Sequence, residues 1–339
     1  MKKIAFLEIT EWDKDYLKNF SDFSSKCDFF EEEISLNNVN KFSQYEIISI
    51  FINSKINKEI LDNLSNLKLI VTRSTGFDHI DIEECKKRNI LVCNVPEYGS
   101  HTVAEYTFGL ILMLLRKLYD AYHQVRETGS FDLTNLRGYE LYGKTLGVVG
   151  TGRIGKNVIQ IANGFEMNVL AYDKYPNNEL LKQLNFKYVS YEKLLQNSDI
   201  ITFHVSYTPQ THHLLNKDNI KLVKKGAYII NTSRGGVIDT EALYEALKTK
   251  QIAGAALDVL EEEGIIKEEQ ELLLLSKNNL IDSEKLKITL LNHLFIDLDN
   301  VIITPHNAFN TEEGLKRIIE TTIANIEYYL NSKPINLVK

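Results

Sequence analysis

Residues 145–155 read TLGVVGTGRIG, a short apolar strand that runs directly into a glycine pattern of the form GxGxxG. The helical stretch Lys156–Gly164 follows the pattern, and the acidic residue Asp173 ends the next predicted strand, eighteen residues after Gly155. A strand, a glycine loop, a helix and an acidic residue in this order form the full context of a dinucleotide-binding fingerprint. This stretch therefore predicts a parallel α/β domain that binds a dinucleotide.

Each glycine of the pattern has a physical task. Gly150 permits the tight turn, Gly152 lets the backbone approach a pyrophosphate, and Gly155 lets helix and strand pack closely. The helix N-terminus adds oriented N–H groups and partial positive charge. Asp173 is expected to accept hydrogen bonds from the adenosine ribose and to repel a 2′-phosphate, so the predicted cofactor is NAD. The cofactor-binding candidates of the loop are Gly150, Thr151, Gly152, Arg153, Ile154 and Gly155.

Short apolar strands alternate with helical stretches on both sides of this loop, a pattern that predicts parallel sheets with helices on both faces. Four strands are predicted before residue 100, namely Lys3–Ile9, Tyr45–Phe51, Leu67–Arg73 and Ile90–Val95. Six more follow residue 145, namely Leu146–Val149, Asn168–Tyr172, Asp199–Val205, Ala227–Asn231, Ala253–Asp258 and Val301–Thr304.

The expected fold class is α/β, with two doubly wound parallel-sheet domains. A chain of 339 residues exceeds the size at which a single core usually stops growing. We expect a Rossmann NAD domain, residues 100–304, inserted into a flavodoxin-like substrate domain made of residues 1–99 and 305–339. The active site is expected in the cleft between them.

Three segments carry further structural predictions. The stretch Val103–Leu118 is apolar on every side, so it is expected to be a helix buried all round, between domains or at the interface of a homodimer. Thr311–Leu330 reads as a helix with one apolar face. The long segment Gly264–Asn300 is expected to contain one or two helices, because Leu272–Leu275 and Leu286–Leu294 show helical patterns.

Composition excludes several classes of protein. The net charge is −7 and the Lys and Arg residues are scattered, which argues against a nucleic-acid partner. The longest uncharged apolar run, Tyr106–Leu115, is about half the length needed to cross a bilayer. The three cysteines lack metal-ligand spacing, and His212 and His213 form no recognisable metal pair, so no metal is expected. Free thiols favour a reducing, cytoplasmic location.

Ligands of doubly wound sheets bind beyond the carboxyl ends of the strands, and polar residues follow several strands here. These strand-end residues are His204 and Val205, Thr232, Ser233 and Arg234, Asp258, and the tripeptide Thr304-Pro305-His306. An arginine, a carboxylate and a histidine are thus expected to meet at the edge that binds the nicotinamide cofactor. The proline before His306 is expected to hold the backbone extended there.

Several stretches, in the same order along nearly the whole chain, resemble the D-isomer-specific 2-hydroxyacid dehydrogenases, and among them the D-lactate dehydrogenase branch. The motifs that carry the resemblance are Arg73–Asp81, Val103–Glu105, Gly150–Gly155, Asn231–Gly236, Leu257–Val259 and Thr304–His306. The resemblance implies that Arg234 binds the substrate carboxylate bidentately. It also implies that His306 is the general acid and base, with Glu263 as its partner.

The resemblance assigns further residues to the two ligands. Asp258 is expected near the nicotinamide, and the backbone N–H groups of Thr75 and Gly76 are expected to complete the carboxylate site. The remaining cofactor-lining candidates are Val103, His204, Val205, Thr232 and Ser233, and the candidates for the pocket around the substrate side chain are Phe51, Phe77, Tyr98 and Phe309.

Two departures from the family pattern concern this site. Ser206 stands where the family commonly has proline, and the separation of 43 residues between Glu263 and His306 is longer than usual because of the segment from 264. Glu261 and Glu262 adjoin Glu263, and such runs of glutamate are usually solvated, but the spacing of Glu263 from Asp258 favours it as the partner of the histidine.

The predicted reaction is the interconversion of pyruvate and D-lactate with NAD. The alternative within the same class is a dehydrogenase for bulkier 2-keto acids, such as 2-ketoisocaproate and phenylpyruvate. A protein that senses NAD and binds a partner without turnover is the alternative outside it, and the complete Arg, Glu and His set weighs against it.

Overall fold

The computed structural model describes residues 3–263 and 283–338. The chain divides into two compact units, which are treated separately below. Unit 1 comprises Met1–Tyr98 and Phe309–Lys339, and unit 2 comprises Gly99–Ala308. The second boundary lies four residues later than expected from sequence, because the backbone N–H groups of Asn307 and Ala308 donate to the carboxylate of Asp258, which belongs to unit 2.

Unit 1 is built on a five-stranded parallel sheet in the order β2-β1-β3-β4-β5. This order is that of flavodoxin-like domains, as predicted. All four predicted strands occur, and Cys27–Phe29 forms an additional, half-buried edge strand. The strands are β1 Ile4–Phe6, β2 Cys27–Phe29, β3 Ile47–Ile50, β4 Leu69–Thr72 and β5 Leu91–Cys93.

Helices cover both faces of this sheet because each strand presents alternate side chains to opposite sides. One core contains Ile48 and Ile70, and the other contains Ile47 and Leu69 with the apolar face of the C-terminal helix. That face is the one predicted for this helix: Tyr329 on it is half-buried, and its buried members are Ile318, Ile319, Thr322, Ile323 and Ile326. The α-helices of unit 1 are Glu11–Leu17, Ser21–Ser24, Lys58–Asp62, Ile82–Lys87 and Glu312–Leu330.

Unit 2 is built on a seven-stranded parallel sheet in the order β12-β11-β10-β9-β6-β7-β8. Counted from β6, this is the dinucleotide-binding order 3-2-1-4-5-6 with one further strand, so the predicted Rossmann topology is confirmed. The strands are β6 Thr145–Val149, β7 Asn168–Tyr172, β8 Lys187–Tyr188, β9 Ile200–Phe203, β10 Ala227–Asn231, β11 Ile252–Leu257 and β12 Val301–Ile303. The two-residue strand β8 is the one that the sequence pattern did not indicate.

Two hydrophobic clusters fill the two faces of this second sheet. Within its described residues, unit 2 has the α-helices Ser100–Leu115, Leu118–Thr128, Arg153–Gly164, Tyr191–Asn197, Thr240–Lys248 and Ser283–Ile296. The pattern at Leu286–Leu294 lies within the last of these, whose Phe295 packs into the core, whereas Leu272–Leu275 lies outside the described residues. No helix in the described ranges is long and apolar enough to cross a membrane.

The expectation of one helix over Val103–Leu118 is wrong, whereas burial of this segment at a homodimer interface stays a prediction. The helix ends at Leu115, because Lys117 adopts a left-handed backbone with φ 51°, and a second helix starts at Leu118. The first helix buries one face in unit 2, while its Glu105 and Gly109 are exposed. Leu118, the first residue of the second helix, is 53% exposed.

Candidate active site

The glycine loop follows the buried strand β6, and its geometry explains two of its glycines. Gly150 has φ 95°, and a Cβ atom added there would lie 2.7 Å from the carbonyl oxygen of His204. A Cβ atom on Gly155 would lie 2.0 Å from the carbonyl oxygen of Gly150. Since any side chain at either position would collide with backbone, the tight strand-to-helix turn requires glycine at both.

Gly152 is different, because its surroundings are open. It is the N-cap residue of the helix Arg153–Gly164, no side chain caps that helix end, and a Cβ atom on Gly152 would meet nothing within 4 Å. The backbone N–H groups at a helix N-terminus attract anions. The loop therefore offers an open cradle that fits the pyrophosphate of a dinucleotide.

Asp173 lies directly after β7 and contacts the same loop. One carboxylate oxygen accepts hydrogen bonds from the Thr151 backbone N–H at 2.7 Å and from its hydroxyl at 3.0 Å, and the other accepts from the Tyr175 N–H at 2.8 Å. The structure thus brings the acidic residue and the glycine loop together, although they are separated by more than twenty positions. Arg153 is exposed and Ile154 is half-buried at the start of the helix.

His204 and Val205 follow β9 and lie against the glycine loop. Nε2 of His204 lies 2.9 Å from the Thr202 hydroxyl, whereas Nδ1 is buried and has no hydrogen-bond partner among the described residues. Burial of the ring lowers the pKa of His204 to about 3, so the imidazole is neutral at ordinary pH. An orphaned polar atom beside the loop fits a site that a polar ligand completes.

The other cofactor-lining candidates occupy the same sheet edge or the helix beside it. Val103 is buried in the helix Ser100–Leu115, and Thr232 follows β10. The hydroxyl of Thr232 lies 3.0 Å from that of Thr107, which ties the strand end to the helix. The structure therefore positions these residues, and their contact with the cofactor stays a prediction.

Arg234 lies in a turn after β10 that is organised by Asn231. The Asn231 side chain accepts from the backbone N–H of Ser233 at 3.0 Å and from its hydroxyl at 2.8 Å, and its amide donates to the carbonyl of Arg234 at 2.9 Å. Sequence analysis gave Asn231 no role, although it stands within one of the quoted motifs. An amide that bonds to backbone two or three residues later is a common turn device and is the signal that could have identified it.

The glycines after Arg234 allow its turn to pack against the next strand end. A Cβ atom on Gly235 would lie 2.0 Å from the carbonyl carbon of Leu260, and one on Gly236 would lie 2.7 Å from the ring of Tyr207. The arginine turn and the segment that leads to Glu263 are therefore in direct backbone contact.

Asp258 acts as a clamp on the segment that carries His306. One carboxylate oxygen accepts from the Thr304 hydroxyl at 2.5 Å and the Asn307 N–H at 2.8 Å, and the other accepts from the Ala308 N–H at 2.9 Å. Asp258 is only 1% exposed, and this burial raises its pKa, an effect that the hydrogen bonds oppose. These contacts give Asp258 a structural task, and its predicted place near the nicotinamide stays a prediction.

The prediction of an extended backbone at His306 is wrong. His306 has φ 52°, in the left-handed region, and its N–H lies 2.8 Å from the Asp258 carbonyl oxygen and 2.9 Å from that of Thr304. The segment turns sharply at Pro305 instead of continuing the strand. This unusual backbone is held by the clamp and directs the histidine side chain.

Glu263 contacts His306 as the resemblance implied. Its Oε1 lies 2.7 Å from Nδ1 of the imidazole, and its Oε2 accepts from the Leu260 N–H at 3.2 Å. The neighbouring carboxylates are engaged elsewhere, since Glu261 contacts His213 and Glu262 forms an ion pair with Lys285. Of the three adjacent glutamates, the structure therefore places Glu263 against the histidine.

The predicted substrate residues belong to unit 1. The ring of Phe309 contacts Phe51 at 5.5 Å and Tyr98 at 6.3 Å between centroids, whereas Phe77 is 38% exposed in the loop after β4. The backbone N–H groups of Thr75 and Gly76 donate to no acceptor in the described part of the chain. Free N–H groups of this kind can bind a carboxylate, although their role stays a prediction.

Sequence analysis also missed the residues that shape this part of unit 1. The Glu8 carboxylate accepts from the Phe51 N–H at 2.9 Å and the Asn53 N–H at 3.0 Å. The buried guanidinium of Arg73 donates to the carbonyls of Leu7 and Glu8, and burial lowers its pKa. Contacts between three different strand ends leave no periodic signal along the chain.

Taken within unit 2, the site combines three chemical capacities at the carboxyl edge of one sheet. The glycine loop can hold a dinucleotide, the guanidinium of Arg234 can bind a carboxylate, and the paired imidazole of His306 can transfer a proton. This set is suited to a redox reaction on a small acid, in which a carbonyl and a hydroxyl group interconvert.

Comparison with known proteins gives a consistent result. A family model described as D-isomer specific 2-hydroxyacid dehydrogenase, NAD binding domain, matches residues 108–308. The pyruvate reductase of Chlamydomonas reinhardtii superimposes with a TM-score of 0.86 at 34% identity over 99% of this chain and 98% of that one. The D-lactate dehydrogenase of Aquifex aeolicus, in complex with NAD and lactic acid, gives 0.85 at 37% identity over 99% of both chains. An aromatic 2-oxoacid reductase of Clostridium sporogenes is 36% identical over 93% of this chain and 92% of that protein.

Proposed function

The chain belongs to the D-isomer-specific 2-hydroxyacid dehydrogenase family, and from this membership we propose that it interconverts pyruvate and D-lactate with NAD. The observation that carries the proposal is the distance of 2.7 Å between Oε1 of Glu263 and Nδ1 of His306. Both residues belong to unit 2, which also contains the glycine loop and Arg234. Relatives named as a pyruvate reductase and a D-lactate dehydrogenase support this choice of substrate.

Each residue has a separate task in the proposed mechanism. The planar guanidinium of Arg234 binds the substrate carboxylate through two parallel hydrogen bonds, which fixes the orientation of the keto group. NADH, when bound, supplies the hydride that adds to the keto carbon. Nε2 of His306 donates a proton to the keto oxygen, and in the reverse direction it accepts the hydroxyl proton.

Glu263 is a positioning residue in this mechanism. Its carboxylate accepts the hydrogen bond from Nδ1, so Nε2 is the ring nitrogen that faces the substrate. Asp258 fixes the backbone that presents the ring, through the hydrogen bonds to Thr304, Asn307 and Ala308. The N–H groups of Thr75 and Gly76 are proposed to contribute further donors to the carboxylate.

A second candidate is a dehydrogenase for bulkier 2-keto acids. The observation that favours it is the group of contacting aromatic rings formed by Phe51, Tyr98 and Phe309, since such rings can surround an apolar side chain. Similarity to an aromatic 2-oxoacid reductase supports the same candidate. Both candidates share one mechanism and differ in the side chain that the pocket accepts.

We also propose that the protein is a homodimer. Eight large hydrophobic residues between positions 118 and 142 of unit 2, here together called surface 118–142, are each at least 42% exposed. Exposed apolar patches of this kind usually mark an interface. A second copy is the proposed occupant, and the surface consists of Leu118, Tyr119, Tyr122, Val125, Phe131, Leu133, Tyr139 and Tyr142.

The proposal is tested by NADH consumption with a panel of 2-keto acids that includes pyruvate, 2-ketoisocaproate and phenylpyruvate, with NADPH assayed in parallel. The expected result is turnover of pyruvate with NADH and a preference for NADH over NADPH. A higher kcat/KM with phenylpyruvate would select the second candidate. Binding of NADH without turnover of any keto acid would overturn both and favour an NAD-sensing protein.

A further inference from the structure

His212, His213 and Glu261 form a cluster in unit 2 that the proposed reaction does not use. One ligand atom of each residue lies within 4.8 Å of the ligand atoms of the other two. Nε2 of His213 lies 2.7 Å from Oε1 of Glu261, and the two imidazoles stack with their centroids 3.8 Å apart and their planes at 24°. Two adjacent histidines gave no metal signal in the sequence, because the third member is 48 residues away.

The cluster is held by neighbours that orient its ligand atoms. The second carboxylate oxygen of Glu261 accepts from the N–H of Thr240 at 3.2 Å and from its hydroxyl at 2.5 Å, which leaves Oε1 directed at His213. The backbone N–H of His213 donates to the carbonyl of Gly236 at 2.8 Å. Glu261 is nearly buried, whereas His212 is exposed, so solvent has access to the cluster from one side.

Tyr207 orients the exposed histidine. Its hydroxyl lies 3.1 Å from Nδ1 of His212. When Nδ1 donates to the phenol oxygen, Nε2 keeps its lone pair and is available to a metal ion. A histidine whose outer nitrogen is hydrogen-bonded is the usual arrangement of a metal ligand, since the second partner fixes both the tautomer and the ring orientation.

We propose that His212, His213 and Glu261 bind a zinc-type transition-metal ion. Two imidazole nitrogens and one carboxylate oxygen are a ligand set that Zn²⁺ accepts, with a fourth position open to water. The ion enters from the exposed His212 side and replaces the hydrogen bond between His213 and Glu261 with two metal–ligand bonds. Thr240 continues to hold the other oxygen of Glu261.

Such an ion would fix the chain segment that leads to the active site. Glu261 lies in the same turn as Glu263, whose Oε2 accepts from the Leu260 N–H. Gly235 packs against the backbone of Leu260 and Glu261. Because the ion binds the folded cluster and not the unfolded chain, it raises the temperature of unfolding.

The test uses the full-length protein without histidine tag and with Co²⁺ as a spectroscopic substitute for Zn²⁺. We expect one Co²⁺ per chain with visible d–d absorption, displacement of that absorption by Zn²⁺, and a higher unfolding temperature with Zn²⁺ than with EDTA. His212→Ala should abolish the signal, and it should fold normally because the side chain is exposed. Tyr207→Phe should weaken binding by about tenfold, as expected for loss of a partner that orients a ligand.

His123→Gln is the control, because His123 is an exposed histidine on the helix Leu118–Thr128, outside the cluster. It should bind Co²⁺ like the wild type. Absence of 1:1 binding in the wild type, or equal binding by the wild type, His212→Ala and His213→Gln, would overturn the metal site. Neither result bears on the proposed dehydrogenase activity, because the assay contains no substrate or NADH.

Discussion

At the scale of single residues, the contact between Glu263 and His306 decides which nitrogen of the imidazole is available for chemistry. Nδ1 is engaged by the carboxylate at 2.7 Å, so in the proposed mechanism the proton reaches the substrate through Nε2. Arg234 lies in a turn whose backbone is fixed by Asn231 and by packing against Leu260. The side chains that do the proposed chemistry therefore depend on buried or backbone-bonded neighbours for their positions.

The role of Glu263 leads to a prediction with a matched control. Glu263→Gln should lower kcat by on the order of 10²-fold and leave KM for the keto acid nearly unchanged, because the imidazolium loses its counter-charge while Arg234 still binds the acid. Glu262→Gln should keep near-wild-type kinetics, since Glu262 pairs with Lys285 instead. Steady-state kinetics of the two variants make the comparison. If Glu263→Gln had the same kcat as the wild type, Glu263 would have no role in the mechanism.

His204 gives a prediction about pH. Its pKa in the folded protein is about 3, below the ordinary value of 6.5, because the ring is buried. The unfolded chain therefore takes up the proton first, so stability is full above pH 6.5 and is lost as the pH falls from 6.5 towards 3. The loss from this group is at most about 1.4 kcal/mol per pH unit. Urea unfolding of His204→Gln should show a shallower decline over this range than the wild type.

The exposed His123 again supplies the control for that measurement. His123→Gln should reproduce the wild-type dependence of the unfolding free energy on pH. If His204→Gln also reproduced it, the imidazole of His204 would have to titrate near its ordinary value in the folded state.

At the scale of elements, the strand-to-helix turn at residues 149–155 combines close packing with an open face. Gly155 packs against the carbonyl of Gly150, whereas Gly152 faces open space at the start of the helix. The two glycines therefore have different physical tasks, one in folding and one in binding, although they belong to one motif.

Substitution by alanine separates these two tasks. Gly155→Ala should destabilise the protein by roughly 3 kcal/mol, because its methyl group collides with backbone. Gly152→Ala should fold with normal stability but bind NADH about tenfold more weakly, equivalent to ~1.4 kcal/mol, because its methyl group fills the cradle. Urea unfolding and NADH fluorescence titration measure the two effects.

Gly164→Ala, at the other end of the same helix, is the matched control: it should leave NADH affinity unchanged and should not destabilise the protein, since a Cβ atom there meets nothing within 4 Å and alanine favours the helix over glycine. A Gly152→Ala protein with unaltered NADH affinity would contradict the assignment of the open face to the cofactor.

The elements of the two sheets were largely predictable, and the exceptions have physical reasons. The bounds of β7 and β10 match the prediction, because each strand is a mostly apolar run. Strands β2 and β8 were missed because they are short edge strands of three and two residues with half-buried side chains. The helix break at Lys117 was missed because no glycine or proline marks it.

Prediction of the site succeeded where one motif contains the whole arrangement and failed where distant segments meet. The glycine loop and Asp173 follow from spacing alone. The clamp of Asp258 on Asn307 and Ala308 joins residues about fifty positions apart, and it imposes a left-handed backbone at His306 that a sequence pattern does not encode. The cluster of His212, His213 and Glu261 was also not predicted, because Glu261 is 48 positions from His213.

At the scale of the whole molecule, surface 118–142 is the feature that a monomer does not explain. Phe131 and Leu133 are 84% and 80% exposed, so burying them against a second copy would remove a large apolar area from water. The predicted interface at Val103–Leu118 was based on the apolar helix, whereas the most exposed apolar residues lie after it.

This surface provides a test of the homodimer. The wild type should sediment as a dimer in velocity ultracentrifugation, and the double variant Phe131→Asp with Leu133→Asp should sediment as a folded monomer, because charges at the interface oppose association. Tyr175→Asp, at another position that is 78% exposed, should remain dimeric. A wild type that sediments as a monomer would exclude this assembly.

The central claim is that the protein reduces a small 2-keto acid to the D-2-hydroxy acid. NADH supplies the hydride, and His306, with Glu263 as its partner, supplies the proton. The most direct test is reduction of pyruvate by NADH, with the enantiomer of the product determined, in the wild type and in His306→Gln. The account predicts D-lactate from the wild type and a rate lower by about 10²-fold or more in the variant. L-lactate as the product, or an undiminished rate in His306→Gln, would contradict it.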